Sequence, residues 1–290
     1  MKVLVTGAAG GLGGEVIRKL SERDITPVGL DVVPSPMDWP HEWYEVDVSH
    51  EPLVRQAVLE SKPDAIINLA GLLGTMELWD RLTEAVLVNL AGAVHVQRAS
   101  AEVDANYVGI LTGNDWPNPY TVFKKAAQEL SLGIRRQTGL RTTGLRIFNV
   151  YGPFHSLPSK VIPNFCNAVL RGQPIPILGD GSQPLDLVWG DDVAEACVLA
   201  ATVAPGEGEI IDVGSVVIPV LEFAATLSEV AGVETSVQHM TPRFAEGNEY
   251  RTSDPTAMRE LLGFETPDRM DEALFRERLR LVLDYYRSQR

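Results

Sequence analysis

With 290 residues, 45% of them apolar, the chain is long enough to bury one large core or two small ones, and its composition is that of a folded protein. A formal net charge of −14 excludes a nucleic acid backbone as partner, because too few cations are present to displace counterions, although a small phosphorylated ligand needs only a few donors in one pocket. No apolar run reaches membrane-spanning length, and the chain enters an apolar strand directly after Met1 with no room for a signal peptide, so no membrane partner and a cytoplasmic location are expected.

The elements follow in order. Lys2 to Val5 reads as a buried strand, Gly7-Ala-Ala-Gly10-Gly11-Leu12-Gly13-Gly14 as a turn, and Glu15 to Arg23 as a helix. Ile25 to Leu30 reads as a second strand ending at Asp31. This is a β-α-β unit with glycines at its first turn and an acid at its second strand tip. Such glycines let a backbone approach a pyrophosphate, and the helix start supplies aligned N–H groups. Asp31 can accept both hydroxyls of a ribose and would repel a 2′-phosphate, so NAD is expected in preference to NADP.

Trp43 to Val48 reads as a third strand, whose Asp47-Val48 end either meets an adenine or caps the next helix, Leu53 to Glu60. Ala65 to Gly71 is a fourth strand with the small tip Leu69-Ala70-Gly71, and a long helix from about Leu78 to Ala101 carries Asn89 midway. Tyr107 to Leu111, a fifth strand, delivers Thr112, and seven residues separate it from Tyr120. In the later half, strands are expected around Thr143, Pro174 to Leu178, Leu185 to Trp189 and Glu209 to Val213. Helices are expected over Val161 to Arg171, from a cap at Asp191 or Asp192 through Ala201, and over Asp271 to Arg287. Alternating strands and helices imply an α/β fold, a doubly wound parallel sheet (Rossmann fold) with a smaller C-terminal substrate-binding lobe. The dinucleotide domain is expected over residues 1–152 with about 185–215, and the lobe over 153–184 and 216–290. Cys166 and Cys197 lie in apolar helical runs without metal spacing and read as buried thiols; no metal is expected.

One further pair carries chemistry. In Tyr120-Thr-Val-Phe-Lys124 the spacing of four places both side chains on one helix face. An ammonium beside a phenol favours the phenolate, which would suit proton exchange; the plain alternative is a surface Tyr/Lys pair.

Together, Thr6-Gly7-Ala-Ala-Gly10-Gly-Leu-Gly13, Tyr120-xxx-Lys124 and Arg146-Ile-Phe148-Asn149-Val-Tyr151-Gly-Pro153 resemble the extended short-chain dehydrogenase/reductase superfamily, and within it the NAD-dependent nucleotide-sugar epimerases and dehydratases. Val161-Ile-Pro163, Gly179-Asp-Gly-Ser-Gln183, Asp191-Asp192-Val-Ala and Asp254-Pro-Thr continue the likeness nearly end to end. The resemblance implies that Tyr120 is the general acid/base, that Lys124 binds the nicotinamide ribose and lowers the tyrosine pKa, and that Thr112 bonds the reacting hydroxyl. It implies a pyrophosphate site at Gly7, Gly10, Gly11, Leu12 and Gly13, ribose at Asp31, adenine at Asp47 and Val48, and a cofactor lining of Leu69, Ala70, Gly71 and Asn89. Asn149 and the backbone near Val161 would meet the substrate's diphosphate and sugar, Arg243 would clamp the diphosphate, and a homodimer through the tyrosine helix is implied.

Three positions depart from the family pattern. Leu185 stands where an arginine normally contacts the diphosphate, and Lys160 is either a nearby substitute or, the reading preferred, a solvated surface lysine. The segment between Thr112 and Tyr120 is short and lacks the usual second serine and tyrosine-glycine turn. Gly113 and Asn114 follow Thr112 in place of the aspartate and glutamate that serve dehydration. The leading expectation is therefore an NAD-dependent epimerase of a nucleotide-activated sugar working through a transient keto intermediate. The alternatives are a net dehydrogenase or ketoreductase of a sugar or small hydroxy compound, a non-catalytic dinucleotide sensor, and dehydratase or lyase chemistry.

Overall fold

A computed structural model of the chain describes residues 1–36, 39–154, 156–242, 250–269 and 271–290. The chain opens with β1 (Lys2–Thr6), α1 (Gly11–Glu22), β2 (Thr26–Asp31), β3 (Glu42–Glu45), α2 (Glu51–Ser61) and β4 (Ala65–Asn68). A 3₁₀ turn (Glu77–Trp79) precedes α3 (Leu82–Ala85), a π-helical stretch (Val86–Ala91) and α4 (Gly92–Glu102). Next come β5 (Asn106–Thr112), α5 (Pro119–Thr138), β6 (Thr142–Ile147), β7 (Asn149–Tyr151), α6 (Val161–Leu170), β8 (Ile175–Leu178) and β9 (Pro184–Trp189). The chain ends with α7 (Gly190–Thr202), β10 (Glu207–Val213), β11 (Val216–Pro219), α8 (Val220–Ala231), β12 (Val237–Met240), α9 (Thr256–Leu262) and α10 (Glu272–Ser288).

Seven strands form the central sheet in the order β10-β6-β5-β4-β1-β2-β3, with every pairing parallel. Side chains alternate between two cores. Val3 and Val5 of β1 pack under α1 and α7, while Leu4 packs with α2 and α4 on the other face. Burial on both faces is why these strands read as continuous apolar runs in the sequence. The strand order reverses between β1 and β4, and a crevice opens there at the carboxyl ends of the strands.

The smaller lobe holds a three-stranded sheet, β11-β9-β7, and the parallel pair β12-β8. Its core stacks Phe165 of α6 on Phe223 of α8, with ring centroids 5.9 Å apart, and adds Leu279 and Val282 of α10. β9 is the seam: Leu185, Leu187 and Trp189 belong to the lobe core, and Val188 between them belongs to the core of the central sheet. A buried ion cluster also fixes the lobe to the sheet. Arg278 of α10 lies over the Trp189 ring and pairs with Asp192 of α7 at 2.6 Å and with Asp268 at 2.7 Å. The Tyr151 hydroxyl donates to the same Asp268.

Several local expectations are corrected. The long helix expected over Leu78 to Ala101 is interrupted by the turn at Asp80-Arg81 and widened at Val86–Ala91, where Asn89 turns its amide onto the backbone of Leu72. The third strand stops at Glu45, because the Asp47 carboxylate bends the chain by accepting from the Ser49 N–H at 2.8 Å. Asp47 therefore caps a turn and not the following helix, whose N-cap is His50. Neither Asp191 nor Asp192 caps α7: both lie inside its first turn and face cations, Asp191 with Lys19 at 2.9 Å and Asp192 with Arg278.

Candidate active site

Steric constraint fixes the first turn. Gly7 adopts φ 68°, and a Cβ there would lie 2.9 Å from the Ala70 nitrogen. A Cβ on Gly13 would lie 2.2 Å from the Gly7 carbonyl oxygen, so only glycine allows α1 to start this close to β1. Gly10 is the N-cap, no side chain caps the helix, and its first turn carries no acid, which leaves the positive end of the helix facing the crevice. Asp31 sits at the tip of β2, where its carboxylate accepts from the Ala9 N–H at 2.9 Å and the Val33 N–H at 3.3 Å. It thus holds the glycine turn while bordering the cleft.

The β4 tip is built by a short polar chain. Thr6 donates to Asn68 at 2.6 Å and accepts from the Ala70 N–H at 3.1 Å, which turns Leu69, Ala70 and Gly71 into the crevice. Beyond it, Asn89 accepts from the Leu72 N–H at 2.7 Å and donates to the Leu72 carbonyl at 2.9 Å.

Thr112 ends β5, and its hydroxyl accepts from the Asn114 N–H at 3.2 Å. Asn118 caps α5 by accepting from the Thr121 N–H at 3.1 Å, and Pro119 preorganises the first turn, so Tyr120 is set at the start of a 20-residue helix. Lys124 follows one turn on, 5% exposed, with its ammonium 5.7 Å from the Tyr120 ring centroid. Burial pushes the Tyr120 phenol up to about 12 and the Lys124 ammonium down to about 8. Both shifts come from taking the charged form out of water.

A single cleft of about 1170 Å³ runs past all these groups. It is lined by Gly7, Gly10, Gly11, Leu12, Gly13, Asp31, Asp47, Val48, Leu69, Ala70, Gly71, Thr112, Tyr120 and Lys124, and at its far side by Asn149, Lys160 and Val161. Asn89 is the exception: it does not line the cleft but sits behind the 69–72 segment. Arg243 lies outside the described residues. At the lobe side Asn149 donates to the Asp186 carbonyl at 3.1 Å, Lys160 is the N-cap of α6 and Val161 its first residue. Leu185 borders the cleft as a 6% exposed side chain in register with Ile218.

Three further parts of the cleft wall escaped the sequence reading. The Phe154 ring lies where a Cβ on Gly11, Gly152 or Gly190 would fall, at 3.2, 2.2 and 2.4 Å, so it wedges the first loop of the lobe against the glycine turn. The glycines at 152 and 190 were its only trace in the sequence. Ser159 donates to Glu77, joining the lobe to the segment after β4 across the cleft mouth, and this bond together with nearby Lys160 holds the Glu77 carboxyl below its ordinary range. Arg251 borders the cleft beside Asp115.

The residues fit a dinucleotide. The cradle at Gly7 and Gly13 has no room for a Cβ, the helix end above it is uncapped, and an acid stands at the β2 tip. Comparison with known proteins agrees. A model of the family described as "NAD dependent epimerase/dehydratase family" matches residues 3–214. The low-salt glycan biosynthesis protein Agl12 of Haloferax volcanii is 27% identical over 99% of this chain and 98% of its own. The UDP-glucose 4-epimerase of Mycolicibacterium smegmatis is 27% identical over 91% of this chain and 93% of its own. Among solved structures, the UDP-glucose 4-epimerase of Thermus thermophilus in complex with NAD superposes with a TM-score of 0.83 at 25% identity, covering 99% of both chains.

Proposed function

Because the chain belongs to the NAD dependent epimerase/dehydratase family, we propose that it is an epimerase of a nucleotide-activated sugar. The observation that carries this reading is the meeting of Thr112, Tyr120 and Lys124 with the glycine turn and Asp31 in one cleft. The glycine turn would hold the NAD pyrophosphate, Asp31 the adenosine ribose, and Asp47 with Val48 the adenine. Leu69, Ala70 and Gly71 would border the rest of the dinucleotide, with Asn89 fixing that segment from behind. When bound, NAD supplies reversible hydride acceptance and a positive charge at the reacting end.

Within this reading Tyr120 takes the proton of a sugar hydroxyl and Thr112 orients that hydroxyl. Lys124 holds the nicotinamide ribose and adds its charge beside the phenol. The sugar passes through a keto intermediate, and Tyr120 returns the proton when the carbonyl is reduced on its other face. Asn149, Lys160 and the first turn of α6 at Val161 would seat the diphosphate, with Arg243 added from the lobe. Binding energy from the nucleotide would hold the sugar in place.

The test is incubation with NAD and a panel of nucleotide sugars. Formation of the epimer without accumulation of NADH is the expected result; NADH rising in step with substrate consumption would identify a net dehydrogenase or ketoreductase. That second reading is favoured by Leu185, since an apolar wall there costs nothing to a substrate lacking a diphosphate. We also propose a cytoplasmic homodimer. No helix among the described residues is long and apolar enough to cross a membrane. Trp79, Leu82, Leu87, Val122 and Leu130 expose apolar surface on α5 and the segments packed against it, which suits burial against a second copy.

A further inference from the structure

The cleft wall carries a cation that the proposed chemistry does not use. Arg251 reaches Asp115 and Asp212 only at 3.8 Å each, and its side chain is 41% exposed. Both carboxylates already have closer partners. Asp115 takes Lys125 at 2.9 Å, and Asp212 takes Arg146 at 2.6 Å together with the Asp254 N–H at 3.2 Å. Among the described residues, each of these carboxylates therefore has a closer cation than Arg251. Its place is also informative. Asp115 belongs to the short segment between Thr112 and Tyr120, and its partner Lys125 follows Lys124 on α5. Asp212 lies near the carboxyl end of β10, in register with Arg146 on β6, and β6 pairs in turn with β5, which ends at Thr112. Arg251 thus stands at the reacting end of the cleft, over the carboxyl ends of the strands, with two long contacts that a planar anion can replace.

Resting on the nucleotide-sugar reading, we propose that Arg251 selects a sugar that carries a carboxylate, a uronate, over the corresponding neutral sugar. A guanidinium matches a carboxylate with two parallel N–H donors, and here such a ligand would meet an arginine whose existing partners are neutralised by other cations. A charge-assisted contact of this kind is worth roughly tenfold to a hundredfold in discrimination.

The test compares kcat/KM for UDP-glucuronate and UDP-glucose in the wild type, Arg251→Gln and Arg251→Lys, with NAD-induced thermal stabilisation as the check that each variant folds and loads cofactor. The wild type is expected to favour the uronate, Arg251→Gln to lower that preference at least about tenfold, and Arg251→Lys to keep part of it. A preference ratio unchanged in Arg251→Gln, whatever the absolute rates, would overturn the proposal and make Arg251 a contact to the diphosphate or to nothing. If NAD stabilises the wild type but no sugar carried on UDP, dTDP, GDP or CDP is bound or turned over, the nucleotide-sugar reading itself fails, and this assignment with it.

Discussion

The two ends of the cleft are made in different ways. At the dinucleotide end the shape is backbone: Gly7 and Gly13 are pressed against neighbouring main chain, and no other residue fits. At the substrate end the shape is side chains drawn from distant segments, among them Phe154, Ser159, Leu185 and Arg251. Backbone cradles tolerate little change, so the first end binds one class of ligand. A wall of side chains can be rebuilt one residue at a time, so the second end is where specificity is set. On the proposed reading, Leu185 and Arg251, with its two long contacts to Asp115 and Asp212, are two such rebuildings.

The difference can be sharpened by substitution. The largest effect is expected at Tyr120: if its hydroxyl is the proposed acid/base, Tyr120→Phe should lower turnover by about 10²- to 10⁴-fold while NAD still stabilises the protein. Turnover within a few-fold of wild type would remove the acid/base assignment.

Lys124 comes next. Its pKa of about 8 in the fold, against 10.5 for the free side chain, means that the unfolded chain holds the proton more tightly between these values. Stability should therefore be lowest below pH 8 and rise between about 8 and 10.5, with a cost at neutral pH of about 3 kcal/mol. Tyr120 acts in the opposite sense above its ordinary pKa, since its folded value of about 12 makes stability fall as pH rises from 10 toward 12. Lys124→Met should lower turnover by less than Tyr120→Phe in the same activity assay, and should raise the melting temperature at pH 7 and flatten the rise between pH 8 and 10.5, the last two readable by thermal denaturation across pH.

At the glycine turn the expected contrast is within one helix. Gly13→Ala forces a Cβ to 2.2 Å from the Gly7 oxygen and should cost about 1–3 kcal/mol of stability and much of the NAD affinity, whereas Gly14→Ala, with open space around it inside the helix, should leave NAD affinity unchanged and raise stability by up to about 1 kcal/mol. Calorimetric titration with NAD on both variants checks this. The smallest effect is expected at Asp31, where Asp31→Asn should narrow the preference for NAD over NADP by about tenfold, the worth of one repulsive charge contact at a partly exposed site.

The same division explains what the sequence disclosed. Gly7 to Gly13, Asp31 and the Tyr120/Lys124 pair were legible because each depends on near neighbours: a turn next to a strand, an acid at a strand tip, two residues one helical turn apart. The sheet was legible because its inner strands, such as β1 and β4, are buried on both faces. The interruption around Val86–Ala91 was not, because Asn89 answers to Leu72, in a different element. The cap of α7, read at Asp191 or Asp192, failed for the same reason, since these carboxylates face Lys19 and Arg278 far along the chain; at Asp47 the helix cap, one of its two readings, gives way to a turn closed by the Ser49 N–H. Phe154 and Arg251 carry no local pattern at all. Only the folded chain brings the first to three glycines and the second to two already paired carboxylates.

Whether one cleft holds NAD and a nucleoside diphosphate together, despite Leu185, can be read from thermal stability with NAD alone and then with UDP, dTDP, GDP or CDP added. A ligand that binds only the folded state raises stability by mass action. The expected result is a rise with NAD and a further rise with one of the four nucleotides, which would also name the base. A rise with NAD and none with any of the nucleotides would contradict joint binding and leave a dehydrogenase of an unactivated sugar or alcohol.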